Sequence, residues 1–413
     1  MSRRVVITGL GMITPLGTGP EESWAALQSL ESRVRPVDFL DPAEFKARIA
    51  AAIPSFDPLD FMSVKRAKRL DRFSQLSVAS SKLALEHAGI DPFSDHGMEI
   101  GVHLGSALGG VAYGEAQHNR YFNGGLKAVD PMIALAVFGG AGATNVAIEF
   151  GLHGPSMGNA NSCASGANAI GEAFKMIRNG DIDVMLGGAV EAPLAPMIFG
   201  GFSLIRALST NNDDPLHASR PFDAKRDGFV LAEAAAMVVL EEYEHAISRG
   251  ATPLAEITGY AATNDAYNMI APRPDAIQAG RALSLTMADA GIGPEDVDYI
   301  NSHSTSTPLG DAAESLAIHN AFGERGETIP VSGTKGYYGH PLGASGAVEA
   351  TLMCLTLQHQ WIPPTLNLES ADTTKPLNLI TGKGMETRVD TILSNALGFG
   401  GINTGMIFKR IES

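Results

Sequence analysis

Residues 161–171 read NSCASGANAIG, and the four residues ASGA at 164–167 occur again at 344–347. A second short match precedes each copy, because ITG at 7–9 occurs again at 257–259. The two matches follow one another in the same order in both parts of the chain. This pattern predicts two related halves with a longer insertion in the first, although matches this short also arise by chance.

Apolar runs alternate with amphipathic runs along the chain. The apolar runs predict strands, which fall at residues 5–9, 99–104, 183–188, 229–240 and 297–302. The amphipathic runs predict helices, which fall at residues 21–30, 63–88 and 169–177. Buried strands that alternate with helices are typical of an α/β fold, so we expect a mostly parallel sheet covered on both faces.

Composition excludes several classes of protein. Hydrophobic residues make up 45% of the 413 residues and charged residues 18%, which gives ample apolar surface for a folded core. The net charge of −15 argues against nucleic-acid binding, which needs a basic face. The two cysteines, Cys163 and Cys354, are too few for a disulfide framework, so we expect a reducing compartment, the cytoplasm.

Neither a signal peptide nor a membrane span is expected. The first apolar run is interrupted by Gly9 and Gly11 before it reaches the length of a signal sequence. One uncharged stretch, residues 131–148, is long enough to be considered as a span. Its apolar density is low because it contains three glycines, a threonine and an asparagine. We interpret it as a buried helix or a subunit contact.

Cys163 is the candidate nucleophile. Small residues surround it, and a predicted helix begins directly after it. A helix N-terminus carries unpaired N–H groups and a partial positive charge, which lower the pKa of a thiol and can stabilise an oxyanion. The alternative is a free cysteine packed as a small hydrophobic residue. Cys354 lies in the apolar run LMCL and is interpreted as a core residue.

Two histidines are the candidate partners of this cysteine. His303 follows a predicted strand and precedes the hydroxyl-rich run STST at 304–307. His340 lies in the loop GTKGYYGH at 333–340, which leads into the second ASGA copy. If the halves are copies, His340 approaches the same point as Cys163 from the related helix. A structural role is the alternative for each histidine.

These motifs resemble the β-ketoacyl-[acyl-carrier-protein] synthases of the elongating type. The similarity covers essentially the whole chain and is carried by five residues with their neighbours: Cys163, His303, Lys335, His340 and Phe399. The resemblance implies an α/β thiolase fold whose duplicated halves form a layered α-β-α-β-α core. Residues 1–250 would form the half with the nucleophile and with inserted cap and docking segments. Residues 251–413 would form the half with both histidines.

The resemblance also implies a decarboxylative Claisen condensation. Cys163 would hold the growing acyl group as a thioester, and His303 and His340 would hold the malonyl thioester carbonyl through neutral imidazole N–H donors. The division of roles between the two histidines stays open. Lys335, with Glu349 in support, would orient the histidines. The backbone N–H groups of Cys163 and Phe399 would form the oxyanion hole.

The resemblance implies that substrates arrive on acyl carrier protein, on its phosphopantetheine arm, and that the chain binds no metal and no cofactor of its own. Thr305 and Thr307 would hydrogen-bond this arm, and Phe399 would gate an acyl pocket. The pocket would be lined by Leu108, Ile133 and Phe202. Carrier protein is acidic, so the basic cluster of Lys65, Arg66, Lys68 and Arg69 would dock it, and the resemblance implies that Arg206 lies on the same docking face. The alternative for the cluster is an ordinary solvated helix face. The subunit partner would be a second copy or a chain-length partner.

Three departures from the family pattern bear on the pathway. Ser304 stands where the family usually has glycine, Tyr337 and Tyr338 replace smaller or apolar residues, and alanines at 234–236 replace glycines. A specialised type II polyketide or polyene ketosynthase is therefore as consistent with the sequence as fatty-acid elongation. Two other functions stay open: a thiolase-like acyltransferase acting on coenzyme A esters, and a partner subunit that binds carrier protein.

Overall fold

A computed structural model describes residues 3–94 and 99–411. Most strands belong to one large sheet, and two pairs of short strands lie outside it. The strands are β1 (Val5–Thr14), β2 (Gly17–Thr18), β3 (Arg35–Pro36), β4 (Ile49–Ala50), β5 (Ile100–Gly105), β6 (Ser156–Asn159), β7 (Val184–Glu191), β8 (Ala234–Glu242), β9 (Ala255–Asn264), β10 (Tyr299–Asn301), β11 (Pro330–Ser332), β12 (Trp361–Ile362), β13 (Asn378–Leu379), β14 (Met385–Glu386), β15 (Thr391–Gly398) and β16 (Ile402–Lys409).

The α-helices fall between these strands, and the connecting segments contain several 3₁₀ turns. They are α1 (Pro20–Gln28), α2 (Val64–Ala67), α3 (Arg72–His87), α4 (Val111–Gly124), α5 (Ile133–Ala136), α6 (Ala141–Phe150), α7 (Ser165–Asn179), α8 (Pro196–Leu204), α9 (Tyr243–Ser248), α10 (Ile277–Ala290), α11 (Pro308–Phe322), α12 (Lys335–Tyr338) and α13 (Ser345–His359).

The sheet is duplicated. Its first half has the strand order β6-β5-β7-β8-β1, and its second half has the order β11-β10-β15-β16-β9. When the strands of each half are numbered along the chain, both halves have the order 3-2-4-5-1. Antiparallel pairing of β1 with β9 joins the halves, and β13 extends the edge beyond β11. The predicted thiolase fold with related halves is therefore confirmed.

The expectation of a mostly parallel sheet was wrong. In both halves the outer strands pair in parallel, but the inner strands pair antiparallel, as β7 does with β8 and β15 with β16. A buried apolar run has the same composition in either direction, so the hydrophobic pattern could not reveal the antiparallel centre.

Helices cover the sheet in layers. The strand β8 is apolar along its whole length because both of its faces are buried. One face packs in the inner core, through Ala234, Ala236, Val238 and Leu240, and the other packs in the outer core of the first half, through Ala235, Met237 and Val239. Successive side chains of a strand point to opposite faces, so each face is buried. Helices α3 and α6 pack on the outside of the first half, and α10 and α11 on the second. Helices α7 and α13 lie between the halves.

The repeated ASGA segments meet where α7 and α13 begin. A Cβ on Gly166 would lie 2.8 Å from the backbone nitrogen of Ala347, and a Cβ on Gly346 would lie 2.7 Å from that of Ala167. Both distances are shorter than real Cβ contacts, so only glycine permits this approach. The repeat thus brings the N-termini of the two helices together, with Cys163 and His340 just before them.

Two predicted elements have different bounds. The helix expected over 63–88 is broken into α2 and α3, because the Asp71 carboxylate accepts a hydrogen bond from Ser74 N and starts a new helix. The strand expected over 229–240 begins only at Ala234, because the residues before it pair with the segment that carries His340.

The uncharged stretch 131–148 forms the short helix α5 and most of α6, separated by a turn. One face of α6 is buried, whereas α5 and the turn after it expose Leu135, Val137 and Phe138. Among the described residues no helix is both long enough and apolar enough to cross a bilayer.

Candidate active site

Cys163 lies in a 3₁₀ turn, residues 162–164, that continues directly into α7. Ser162 has a φ of 52°, a left-handed conformation that is unusual for a residue other than glycine. Such strain is typical of functional turns. Cys163 is 6% exposed, and Phe399 packs beside it.

Both predicted histidines lie beside this thiol. His340 follows α12, and its backbone is held by hydrogen bonds with Val230 and Ala232, which place the His340 Nε2 atom 3.1 Å from the Cys163 Sγ atom. One ring nitrogen of His303, one of His340 and the Sγ atom all lie within 4.8 Å of one another. The structure therefore brings together the three groups that the sequence placed in separate motifs.

Burial sets the charge state of these groups. It lowers the pKa of both His303 and His340 well below 6.5, and the positive charge of Lys335 acts in the same direction. Burial also raises the pKa of Cys163, although the Ser162 hydroxyl, the Phe399 N–H and Lys335 oppose this. The net direction for the thiol is opposite to the one expected from the helix N-terminus alone. Both imidazoles are therefore neutral, as donation of an N–H to an enolate requires.

Lys335 and Glu349 form a buried ion pair next to the histidines. Both side chains have no solvent exposure, and the Lys335 ammonium also donates to the backbone oxygen of His303 at 2.5 Å. Lys335 starts α12, whereas Glu349 lies one turn into α13. The pair thus connects the loop of His303 to the helix that follows His340.

Two further carboxylates support the site, and neither was expected from the sequence. Glu314 on α11 accepts hydrogen bonds from the backbone N–H groups of His303 and Ser304. Glu191 at the end of β7 accepts from three backbone N–H groups, which belong to Ala107, Leu108 and Gly343. Burial raises the pKa of Glu191 to about 7. Neither loop that these acids hold has a repeating sequence pattern. The one sequence signal for each acid is therefore that it lies in, or at the end of, an apolar helix or strand.

The three groups lie in a cavity of about 340 Å³ that opens to the surface. Thr305 and Thr307 line it, with hydroxyl oxygens 3.0 Å apart. Phe399 and the exposed Arg206 line it too. The cavity is therefore a channel with hydroxyl groups on one wall and the thiol within.

Apolar side chains surround the thiol on another side. Leu108, Phe202 and Phe399 pack in one cluster with Cys163, and the rings of Phe202 and Phe399 are 6.5 Å apart. Ile133, the third predicted lining residue, lies in α5 and belongs neither to this cluster nor to the cavity wall. It lies instead in the segment that exposes Leu135 and Phe138.

The predicted basic cluster is only partly available. Lys65, Lys68 and Arg69 are exposed, but the Arg66 guanidinium is engaged by Glu149 and Asn145 on α6. The cluster lies on and just after α2 and does not line the cavity, whereas Arg206 does.

The unusual residues are accommodated by local changes. Ser304 has a positive φ of 31°, and a Cβ on Gly333 would lie 1.8 Å from the Ser304 Oγ atom, so Gly333 provides the space for this hydroxyl. The Tyr338 hydroxyl lies 2.8 Å from that of Thr334 and is fully buried with Tyr337. Neither change displaces a catalytic candidate from the chamber.

Comparison with known proteins agrees with this geometry. The profile of the β-ketoacyl synthase N-terminal domain matches residues 2–246, and that of the C-terminal domain matches residues 254–369. The chain belongs to the β-ketoacyl synthase family. The resemblance recognised in the sequence is confirmed, and so is the expectation of an acyltransferase that condenses acyl groups.

This ketoacyl synthase is similar over its full length to curated relatives. It is 39% identical to 3-oxoacyl-[acyl-carrier-protein] synthase 2 of Coxiella burnetii and 40% identical to that of Synechocystis sp., with 99% of each chain covered in both cases.

Solved structures extend the comparison to polyketide enzymes. One is a ketosynthase bound to a hexaketide in complex with its type II acyl-carrier protein, at 32% identity, a TM-score of 0.92 and 100% coverage of both chains. Another is the ishigamide ketosynthase/chain length factor, at 29% identity, a TM-score of 0.93 and 100% coverage of both chains. A third is a β-ketoacyl synthase from Burkholderia phymatum, at 37% identity and a TM-score of 0.92, with 99% of this chain and 100% of that one covered.

Proposed function

We propose that Cys163 carries the growing acyl group and that His303 and His340 stabilise the enolate formed from a malonyl thioester. The observation that carries this proposal is the convergence of one thiol and two neutral imidazoles within 4.8 Å in a cavity open to the surface. A thiol beside N–H donors suits acyl transfer, and neutral N–H donors suit an enolate oxygen.

The reaction has two stages. In the first, the Cys163 sulfur attacks the carbonyl carbon of an acyl thioester while the Phe399 N–H donates to the carbonyl oxygen. The bond to the carrier sulfur breaks, and the proton of the Cys163 thiol passes to that sulfur, which leaves as the carrier thiol. In the second, the malonyl thioester loses carbon dioxide. The electron pair of the broken carbon–carbon bond forms an enolate, whose oxygen accepts hydrogen bonds from His303 and His340. The enolate carbon then attacks the acyl group on Cys163, and the sulfur leaves as the thiolate.

We assign delivery of both substrates to a carrier protein with a phosphopantetheine arm. The hydroxyls of Thr305 and Thr307 lie along the cavity, where they can hydrogen-bond the amides of such an arm. Arg206 at the mouth is an exposed cation on a chain of net charge −15, which suits an acidic carrier. Lys65, Lys68 and Arg69 are exposed cations of α2 and the turn after it, whereas Arg66 pairs with Glu149 on α6.

A second subunit is proposed to cover α4 and α5. Exposed apolar side chains concentrate there, namely Tyr121, Phe122, Leu126, Leu135 and Phe138. Isolated apolar residues are normal on a surface, but a contiguous group marks an interface. Ile133 lies in this region, so it can line an acyl pocket only when a second subunit is present. Sedimentation velocity of the chain alone is expected to give a homodimer, and a monomer that associates only with a second polypeptide would indicate a chain-length partner.

The two alternative functions have less support. A thiolase commonly uses a second cysteine as acid or base, and the other cysteine of this chain, Cys354, lies in the inner core within α13. A partner subunit without catalysis would not need Cys163, His303 and His340 to meet. We therefore keep chain elongation, in a fatty-acid or a type II polyketide pathway, as the function, and the cytoplasm as the expected compartment.

Acylation of Cys163 is the first prediction. After incubation with a panel of acyl carrier proteins, intact mass is expected to show one acyl group on the chain, located on the peptide of Cys163. Adding malonyl carrier protein should release carbon dioxide and a β-ketoacyl product. The acyl group that is retained in the highest yield identifies the preferred chain length. If neither acylation nor carbon dioxide release occurs, the proposal is wrong.

The second prediction concerns charge. Because burial lowers the pKa of His303 and His340, their neutral forms persist as the pH falls through 6.5, where an exposed histidine takes up a proton. The ring resonances of these two histidines, assigned with His303→Asn and His340→Asn, should stay constant from about pH 7.5 to about pH 6, while those of solvent-exposed histidines move. Resonances of His303 or His340 that titrate near pH 6.5 would contradict a buried, neutral pair.

A further inference from the structure

The imidazole of His340 has a hydrogen-bond partner on each side. Its Nε2 atom lies 3.1 Å from the Cys163 Sγ atom, and its Nδ1 atom lies 3.0 Å from the Oγ atom of Ser345. Ser345 is the first residue of α13 and has no solvent exposure. The ring is thus held between the nucleophile and a buried hydroxyl.

The hydroxyl proton of Ser345 is buried and needs an acceptor, and this decides which of the two groups donates in the hydrogen bond between Ser345 and His340. A hydroxyl is one donor and two acceptor sites, and a buried donor without an acceptor is costly. In the described part of the chain, the Nδ1 atom of His340 is the recorded polar partner of the Ser345 hydroxyl. The hydroxyl therefore donates, and Nδ1 accepts. A neutral imidazole that accepts at Nδ1 carries its proton at Nε2, which faces Cys163.

The serine of the ASGA motif does not always bind a histidine, as the first copy of the repeat shows. Ser165 has the same place at the start of α7, but its hydroxyl donates to the backbone oxygen of Ser162 at 2.7 Å and closes its own turn. The Nδ1 atom of His303, in contrast, is buried without a recorded partner among the described residues. Of the two histidines, His340 is the one whose tautomer is held by a side chain.

We propose that Ser345 is a positioning residue that fixes His340 as the tautomer with its proton on Nε2, so that this N–H is always directed at the sulfur of Cys163. The inference rests on the roles proposed above for Cys163 and His340. An N–H directed at the sulfur stabilises its thiolate form, which is the nucleophile. The same N–H is then available to the enolate oxygen once the sulfur is acylated.

Removal of the hydroxyl should release the tautomer. In Ser345→Ala the imidazole can place its proton on either nitrogen, so the fraction of molecules with an N–H toward the thiolate falls. The pH profile of Cys163 alkylation by iodoacetamide should move to higher pH, with a rate at neutral pH about tenfold lower, the effect of one lost hydrogen bond. The other charged groups that act on the sulfur, Lys335 and Glu191, are unchanged. The kcat of condensation should fall with little change in KM for the carrier substrates.

Two further variants separate this role from a structural one. Ser345→Thr keeps a hydroxyl and should keep the wild-type alkylation profile. Thr351→Ala removes another buried hydroxyl of α13, one that donates only to the backbone oxygen of Ala347, and should also leave the profile unchanged. An unshifted Ser345→Ala profile would overturn the inference, and so would a Thr351→Ala or Ser345→Thr profile shifted as far as that of Ser345→Ala. Alkylation needs no carrier protein, so these outcomes are independent of whether the wild type accepts an acyl group.

Discussion

Cys163→Ala should lose acyl loading altogether, by at least about 10⁴-fold, because it removes the atom to which the acyl group is bound. The buried chamber offers no second thiol in its place, since the chain has two cysteines and the other lies in α13. Carbon dioxide release from malonyl carrier protein should persist, because both imidazoles remain in position. Intact mass and carbon dioxide release measured on the same sample separate the two stages.

Cys354→Ala is the matched control for this variant. It also exchanges a buried thiol for a methyl group, but in a helix position surrounded by apolar residues. Its loading should equal that of the wild type, and its unfolding free energy should fall by about 1 kcal/mol. Loading that survives Cys163→Ala would show that the acyl group is attached elsewhere, and loss in both variants would point to a general effect of removing buried sulfur.

The candidate catalytic residues could be picked out from the sequence because each stands in a distinctive local setting. Small residues surround Cys163, hydroxyl residues follow His303, and a glycine-rich loop contains His340. The ASGA repeat also predicted that His340 approaches Cys163, and the structure shows this approach, because the glycines of the repeat allow α7 and α13 to come close. Features fixed by short-range chemistry were therefore predictable.

Features fixed by distant contacts were not. Glu191 reads as an ordinary acid of a strand, and its importance depends on backbone N–H groups far along the chain. Glu314 reads as an ordinary acid of a helix, and its importance depends on the fold of the preceding loop around His303. Ile133 reads as a lining residue, yet the single chain leaves it in an exposed segment. The break at Asp71 was missed because one amphipathic pattern runs through residues 63–88.

Arg66 illustrates the same limit for charge. It belongs to the densest basic run of the sequence, and only the structure shows that Glu149 and Asn145 on α6 engage it. Surface ion pairs of this kind contribute little to stability, so composition alone gives no reason to expect one. The docking surface proposed above for a carrier protein is consequently narrower than the run of cations suggests, and Arg206, which lines the cavity, becomes its best-placed member.

Lys335→Met should destabilise the protein more than any other single change proposed here, by about 3–5 kcal/mol in the free energy of unfolding at neutral pH. The substitution leaves the Glu349 carboxylate without its counter-charge in a site that excludes solvent. It also removes the donor to the His303 backbone oxygen, so condensation should fall as well. Glu349 then gains stability in its protonated form, because burial already raises its pKa and Lys335 no longer opposes this.

The sign of the pH dependence follows from that pKa. A group whose pKa is higher in the folded than in the unfolded state contributes stability at low pH and loses it as the pH rises through the folded pKa. The deficit of Lys335→Met relative to the wild type should therefore be smallest near about pH 5 and should grow toward about pH 8. Urea unfolding at both pH values measures it. The double variant Lys335→Met, Glu349→Gln, which removes both charges, should recover part of the stability and lose the dependence on pH. The proposal that Lys335 balances the buried charge of Glu349 would be wrong if Lys335→Met lost the same unfolding free energy at both pH values, or if the double variant were less stable than Lys335→Met.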